Sequence, residues 1–169
     1  MLFNSYIFIF VFLPLTVVVY HLLRGNGFVR AAIFSLVIAS LVFYGWWSLQ
    51  YLVLLLGLLA VDLVIARHID KWRNVNRRYA KLFLVIGLVV NLSALGYYKY
   101  ANFFVDNVNS LFGIDLVLAT IVLPIGISFF TFQKIAFLVD LYVGKVDRVN
   151  PLDYFLFVTF FPQLIAGPI

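Results

Sequence analysis

Apolar residues run along this chain in long unbroken blocks, not in the alternating stripes of a soluble protein. Met1–Leu23 and Ala31–Val61 carry no Lys, Arg, Asp or Glu. Leu82–Tyr98, Leu116–Gln133 and Tyr154–Ile169 are shorter charge-free runs. A membrane-spanning helix needs about 20 mainly apolar residues. The pattern therefore predicts an all-α, polytopic transmembrane protein of five to six helices, at about 4–23, 30–45, 48–67, 80–104, 117–143 and 152–169.

Ala31–Val61 as one helix would be about 46 Å long, against a hydrocarbon core of about 30 Å. Two shorter helices turning near Tyr44-Gly45-Trp46-Trp47-Ser48 fit better, because Gly loosens the helix and Trp and Tyr favour the interface. Pro14 is expected to kink the first helix. Asn102–Asp115, polar and aromatic by turns, is expected to form a short interfacial helix ending at Gly113.

Composition agrees: 65% of residues are hydrophobic and 11% charged, against about 45–50% and about 25% in soluble domains. Disorder is excluded on the same grounds. There is no cysteine, so disulfides, thiolate metal sites and Cys nucleophiles are excluded.

The net charge of +5 does not point to nucleic acid, because the cations cluster in alternate connections. Arg24 and Arg30 flank the first. Arg67, Lys71, Arg73, Arg77, Arg78 and Lys81 crowd the third. Lys145 and Arg148 lie in the fifth, while the intervening connections hold Asp106 and Asp115. The positive-inside rule then predicts an outside N-terminus and cytoplasmic basic loops. Arg67–Lys81 also suits an anionic lipid head group or a phosphorylated donor.

No phosphate loop or nucleophile elbow is present. His21 and His68 lie at predicted helix ends beside arginines, where histidine solvates a terminus, and nothing pairs them as metal ligands.

The informative segments are two. In Leu123–Gly144, Pro124 removes a backbone donor, Gly126 and Ser128 permit close helix approach, and Gln133 and Asp140 share roughly one helical face. Asp140 within a span is a functional candidate, with a structural cap as the plain alternative. Lys134 is expected to point elsewhere and to snorkel or pair with another helix. In Phe160–Ile169, Pro162, Gln163, Gly167 and Pro168 suit an interrupted helix around a cavity. Such helices fit an enzyme chamber, a small transporter or a non-catalytic scaffold.

The same segments resemble the membrane-bound O-acyltransferase family, in its bacterial branch of alginate O-acetylation and D-alanyl transfer proteins. The resemblance rests on LPIGISFFTFQ (123–133), LVDLY (138–142) and FFPQLIAGPI (160–169), supported by LVFYGWW (41–47), NLSALGYYKYANFF (91–104) and the N-terminal MLFNSYIFIFVFLPL. It implies that residues 1–169 are the N-terminal part of one transmembrane enzyme domain, with the family's catalytic histidine expected beyond Ile169. The piece alone is then expected to be inactive.

The resemblance further implies transfer of an acyl group, acetyl above all, from a cytoplasmic acetyl-CoA-like thioester to an extracytoplasmic polysaccharide of the alginate type or a partner protein. No tightly bound cofactor and no metal is implied, and the location would be the bacterial inner membrane. Pro124, Gly126, Ser128, Phe132, Gln133, Asp140, Pro162, Gln163, Gly167 and Pro168 would shape the tunnel and chamber, not make bonds.

Overall fold

The computed structural model describes residues 4–113 and 122–166. Gly167 and Pro168 lie outside them, as do Asp115 and the start of the expected fifth span. The described residues hold seven α-helices and no strand: α1 (Leu13–Gly25), α2 (Val29–Trp47), α3 (Leu49–Trp72), α4 (Arg77–Phe112), α5 (Ile127–Val143), α6 (Pro151–Thr159) and α7 (Phe161–Ala166). Four helical stretches are long and apolar enough to cross a membrane: Phe8–Gly25, Val29–Trp47, Leu49–Trp72 and Arg77–Leu111. The chain is a membrane protein. Its helix surfaces carry many exposed large apolar side chains, among them Phe10, Leu15, Phe34, Val53 and Val89, as lipid contact requires.

Local chemistry explains the element ends. One turn of π-helix, Phe8–Phe12, precedes α1, and Pro14 sits in the first turn of α1. The wider π turn accommodates a ring that would otherwise meet the preceding turn's carbonyl. The long apolar run does divide in two: Ser48 is extended (φ −160°, ψ 120°) between α2 and α3. Asn76 caps α4, its side chain accepting from the main-chain N–H of Arg78 at 3.1 Å.

Four boundaries differ from expectation. α3 continues to Trp72, past the expected end at 67, so Arg67 and Lys71 lie within it. α4 runs unbroken for 36 residues, so Asn102–Phe112 continues it and is no separate interfacial helix; Gly113, left-handed at φ 62°, ends it as expected. At about 54 Å it is longer than the bilayer core of about 30 Å. α5 begins only at Ile127, because Val122–Pro124 is not helical. The expected helix over 152–169 is broken at Phe160, which has φ −52° and ψ 110°.

The chain forms two compact units, Met1–Leu63 with Arg148–Ile169, and Val64–Asp147. In the first, α2 packs against α1, α6 and α7. In the second, α4 packs against α5.

Candidate functional site

In the first unit the site grows from one proline. Pro162 has no N–H, and its ring would clash with the carbonyl four residues back if α6 simply continued. The helix therefore stops at Thr159 and restarts at Phe161. A restarted helix leaves main-chain donors without intrahelical partners. The buried N–H of Phe161 is met by Ser40 of α2, donating to its Oγ at 3.2 Å. Ser40 in turn donates to the Leu36 carbonyl at 2.8 Å.

The restart is also held by aromatic rings. Phe161 packs edge-on to Phe8 (centroids 6.0 Å apart) and Phe12 (5.5 Å), and tilted against Phe43 (5.5 Å). Beside the break lies a cleft of about 310 Å³ walled by Leu36, Asp153, Leu156, Phe157, Phe160 and Gln163. Gln163 thus lines a cavity at an interrupted helix, and Pro162, partly buried, creates the interruption.

A second polar feature of this unit is a buried pair. Tyr154 of α6 donates its hydroxyl to Asp62 Oδ2 of α3 at 3.5 Å. Asp62 is fully buried and Tyr154 nearly so. This carboxyl ends the long apolar run, and a lone acidic residue after so many apolar ones was the available signal. Ser40, an unremarkable serine within an apolar helix, offered none.

The second unit holds the other candidates. Gly126 is left-handed (φ 76°) at the N-terminus of α5, with its carbonyl accepting from the Phe130 N–H at 2.9 Å. It turns the chain into the helix. Pro124 is buried just before it, and Ser128 is half-buried in the first turn. Gly87 of α4 permits a close helix approach, since a Cβ there would meet Leu138 Cδ1 of α5 at 2.6 Å. Gln133 is buried and Phe132 exposed.

Lys134 does not snorkel: it is fully buried, its ammonium 5.5 Å from the Phe130 ring centroid. Asp140 lies at the edge of the unit. Its carboxylate pairs with Lys145 at 3.2 Å, and its carbonyl accepts from the N–H groups of Gly144 (3.0 Å) and Lys145 (2.9 Å).

That turn is clamped by Arg73, just after α3. Its guanidinium donates to the carbonyls of Leu141 (3.2 Å), Val146 (2.5 Å) and Asp147, and pairs with Asp70 at 3.3 Å.

The sequence candidates thus fall into two groups, Pro162 and Gln163 in one unit, and Pro124, Gly126, Ser128, Phe132, Gln133 and Asp140 in the other. Among the described residues no group of His, Cys and carboxylates is gathered to hold a metal ion. His68 is exposed and its Nδ1 lies 2.8 Å from the Val64 carbonyl, a helix-surface arrangement.

No family model and no solved structure matches the chain. Curated relatives do. It is 42% identical over 174 residues to the probable alginate O-acetylase AlgI of Pseudomonas aeruginosa, covering all of this chain and 32% of that protein. It is 38% identical over 197 residues to the peptidoglycan O-acetyltransferase of Helicobacter pylori, covering 100% and 37%. It is 40% identical over 174 residues to the probable alginate O-acetylase AlgI of Azotobacter vinelandii, covering 100% and 34%. The chain spans about a third of the length of these relatives. With the whole chain matched at this identity, and all of its apolar helices included, it belongs to the membrane-bound O-acyltransferase family.

Proposed function

We propose that this chain is part of a membrane O-acyltransferase that acetylates a polysaccharide outside the bacterial inner membrane. The single observation that carries this is the match of every part of the chain to proteins named for O-acetylation of alginate or peptidoglycan. The donor in this reading is a cytoplasmic thioester of the acetyl-CoA kind, used as substrate and not held as a cofactor. The acceptor is the polysaccharide, reached directly or through an extracytoplasmic partner protein. An alginate-type acceptor is favoured by the larger number of alginate acetylases among the relatives.

Acyl transfer to a hydroxyl needs a base at that hydroxyl and donors at the developing oxyanion. The residues here supply walls for such chemistry. Interrupted backbone at membrane depth is tolerated where it is buried or lines a cavity, and the α6–α7 break has that form. Pro162 makes the break and Gln163 lines the cleft. Gly167 and Pro168 extend the same signature. Pro124, Gly126, Ser128, Phe132 and Gln133 set the entry and course of α5, and Asp140 holds its C-terminal turn. The base is assigned to a histidine elsewhere in the full-length protein.

The N-terminus lies outside and the basic loops in the cytoplasm in this reading. Two contacts support it. Arg73, in the third connection, binds carbonyls of the fifth. Arg30, by the first, lines one cavity with Arg148 of the fifth.

The test is a strain lacking the gene for the full-length protein. Acetyl esters on its surface polysaccharide, measured by NMR before and after alkaline release, should be lost and should return on complementation. Unchanged acetylation would refute the proposal.

A further inference from the structure

We infer that Arg30 and Arg148 form a phosphate-binding site at the mouth of the first unit, taking a phosphate group of an anionic lipid or of a free phosphorylated donor. Three observations meet there. A cavity of about 670 Å³ is walled by Arg30, Ile33, Asn150, Leu152, Asp153 and Arg148, among others. Small-molecule sites span about 300–1,000 Å³, so the space takes a phosphate together with part of what bears it.

The two arginines come from opposite parts of the sequence, one in the first turn of α2 and one just before α6, and the packing of α2 against α6 brings both to one cavity. Neither guanidinium has an ion-pair partner among the described residues, whereas Arg73 does. The lone carboxylate of the cavity, Asp153, accepts from Asn150 Nδ2 at 2.5 Å, and the site keeps a net positive charge. Guanidinium groups match phosphate oxygens with forked donors, and the apolar Ile33 and Leu152 walls reduce screening.

The cavity also has a direction. Asp153 lines both it and the cleft at the α6–α7 break. A ligand with an anionic head at the arginines therefore has an adjoining, mainly apolar space for its tail along α6. This deepens the proposed function, since a thioester donor carrying phosphates has that form. The site itself needs only the arginines and the cavity.

The test uses the full-length protein purified in a maltoside detergent. Coenzyme A is titrated by calorimetry, and phosphatidylglycerol retained by the protein is counted by native mass spectrometry. The double variant Arg30→Gln/Arg148→Gln is compared with wild type. A loss of tenfold or more in coenzyme A affinity supports the site and assigns it to the free donor. Loss of retained phosphatidylglycerol, with coenzyme A unaffected, supports the site and assigns it to lipid. No change in either overturns it.

Should the double variant misfold, inorganic pyrophosphate is added to wild type. Displacement of bound coenzyme A or lipid by pyrophosphate supports the site, and no displacement of either overturns it. Both readouts are binding measurements, so a protein that binds phosphate yet acetylates nothing would sink the proposed function and leave the site standing.

Discussion

Ser40 and Phe161 lie 121 residues apart in the chain, and one hydrogen bond of 3.2 Å joins them: the Phe161 main-chain N–H donates to the serine hydroxyl. The bond meets a donor that Pro162 leaves stranded by stopping α6. Removing it should loosen the break itself. Ser40→Ala leaves a buried N–H without that acceptor and should cost about 1–3 kcal/mol. Thermal aggregation of the full-length protein in detergent measures this, and an unchanged midpoint would mean that the aromatic rings alone hold α7.

Tyr154 and Asp62 should behave as a coupled pair. Tyr154→Phe withdraws a donor from a fully buried carboxyl, at a cost of about 1–3 kcal/mol. In a double-mutant cycle with Asp62→Asn the losses should fall short of adding by about 0.5 kcal/mol or more. Strict additivity would show that the two groups do not interact.

Much of this first unit was legible in the sequence, and the reason is locality. A missing N–H at Pro162 acts on its own helix, and the extended Ser48 follows a Gly-Trp-Trp stretch. The partners were not legible. Ser40, Asp62 and Tyr154 gain their roles from helices distant in sequence, and a serine in an apolar helix looks the same whether it meets lipid or a stranded amide. For Lys134, expected to snorkel or to pair with another helix, the spacing from Asp140 excludes a same-helix pair, but only the packing of α5 shows the burial that excludes snorkelling.

Glycine positions should separate sharply. At Gly87 a Cβ would stand 2.6 Å from Leu138 Cδ1 and 3.2 Å from Ile65 Cγ2, and Leu138 is fully buried. Gly87→Ala should lose about 1–3 kcal/mol. Gly57→Ala and Gly96→Ala, both helical with nothing within 4 Å, should be neutral or gain up to about 1 kcal/mol. Equal effects at all three would contradict the observed α4–α5 contact.

Arg73 should be irreplaceable by lysine. Its fork holds three carbonyls of the turn after α5, a geometry that one ammonium cannot copy. Arg73→Lys should free the turn and speed tryptic cleavage at Lys145 and Arg148. The cleavage should occur in inside-out vesicles and not in intact spheroplasts, because the basic loops are assigned to the cytoplasm. Cleavage from the outer face would overturn that orientation.

The α6–α7 break is assigned to the wall of the acyl-transfer chamber, and one substitution tests that most directly. Gln163→Met keeps the length of the side chain near the cleft and removes its amide. The full-length variant, matched to wild type in membrane abundance by immunoblot, is assayed for acetyl esters on the surface polysaccharide. The expected result is a fall of about tenfold or more, of the order an active-site hydrogen-bonding group supplies. Full acetylation at equal abundance would contradict the assignment and leave the break a structural feature only.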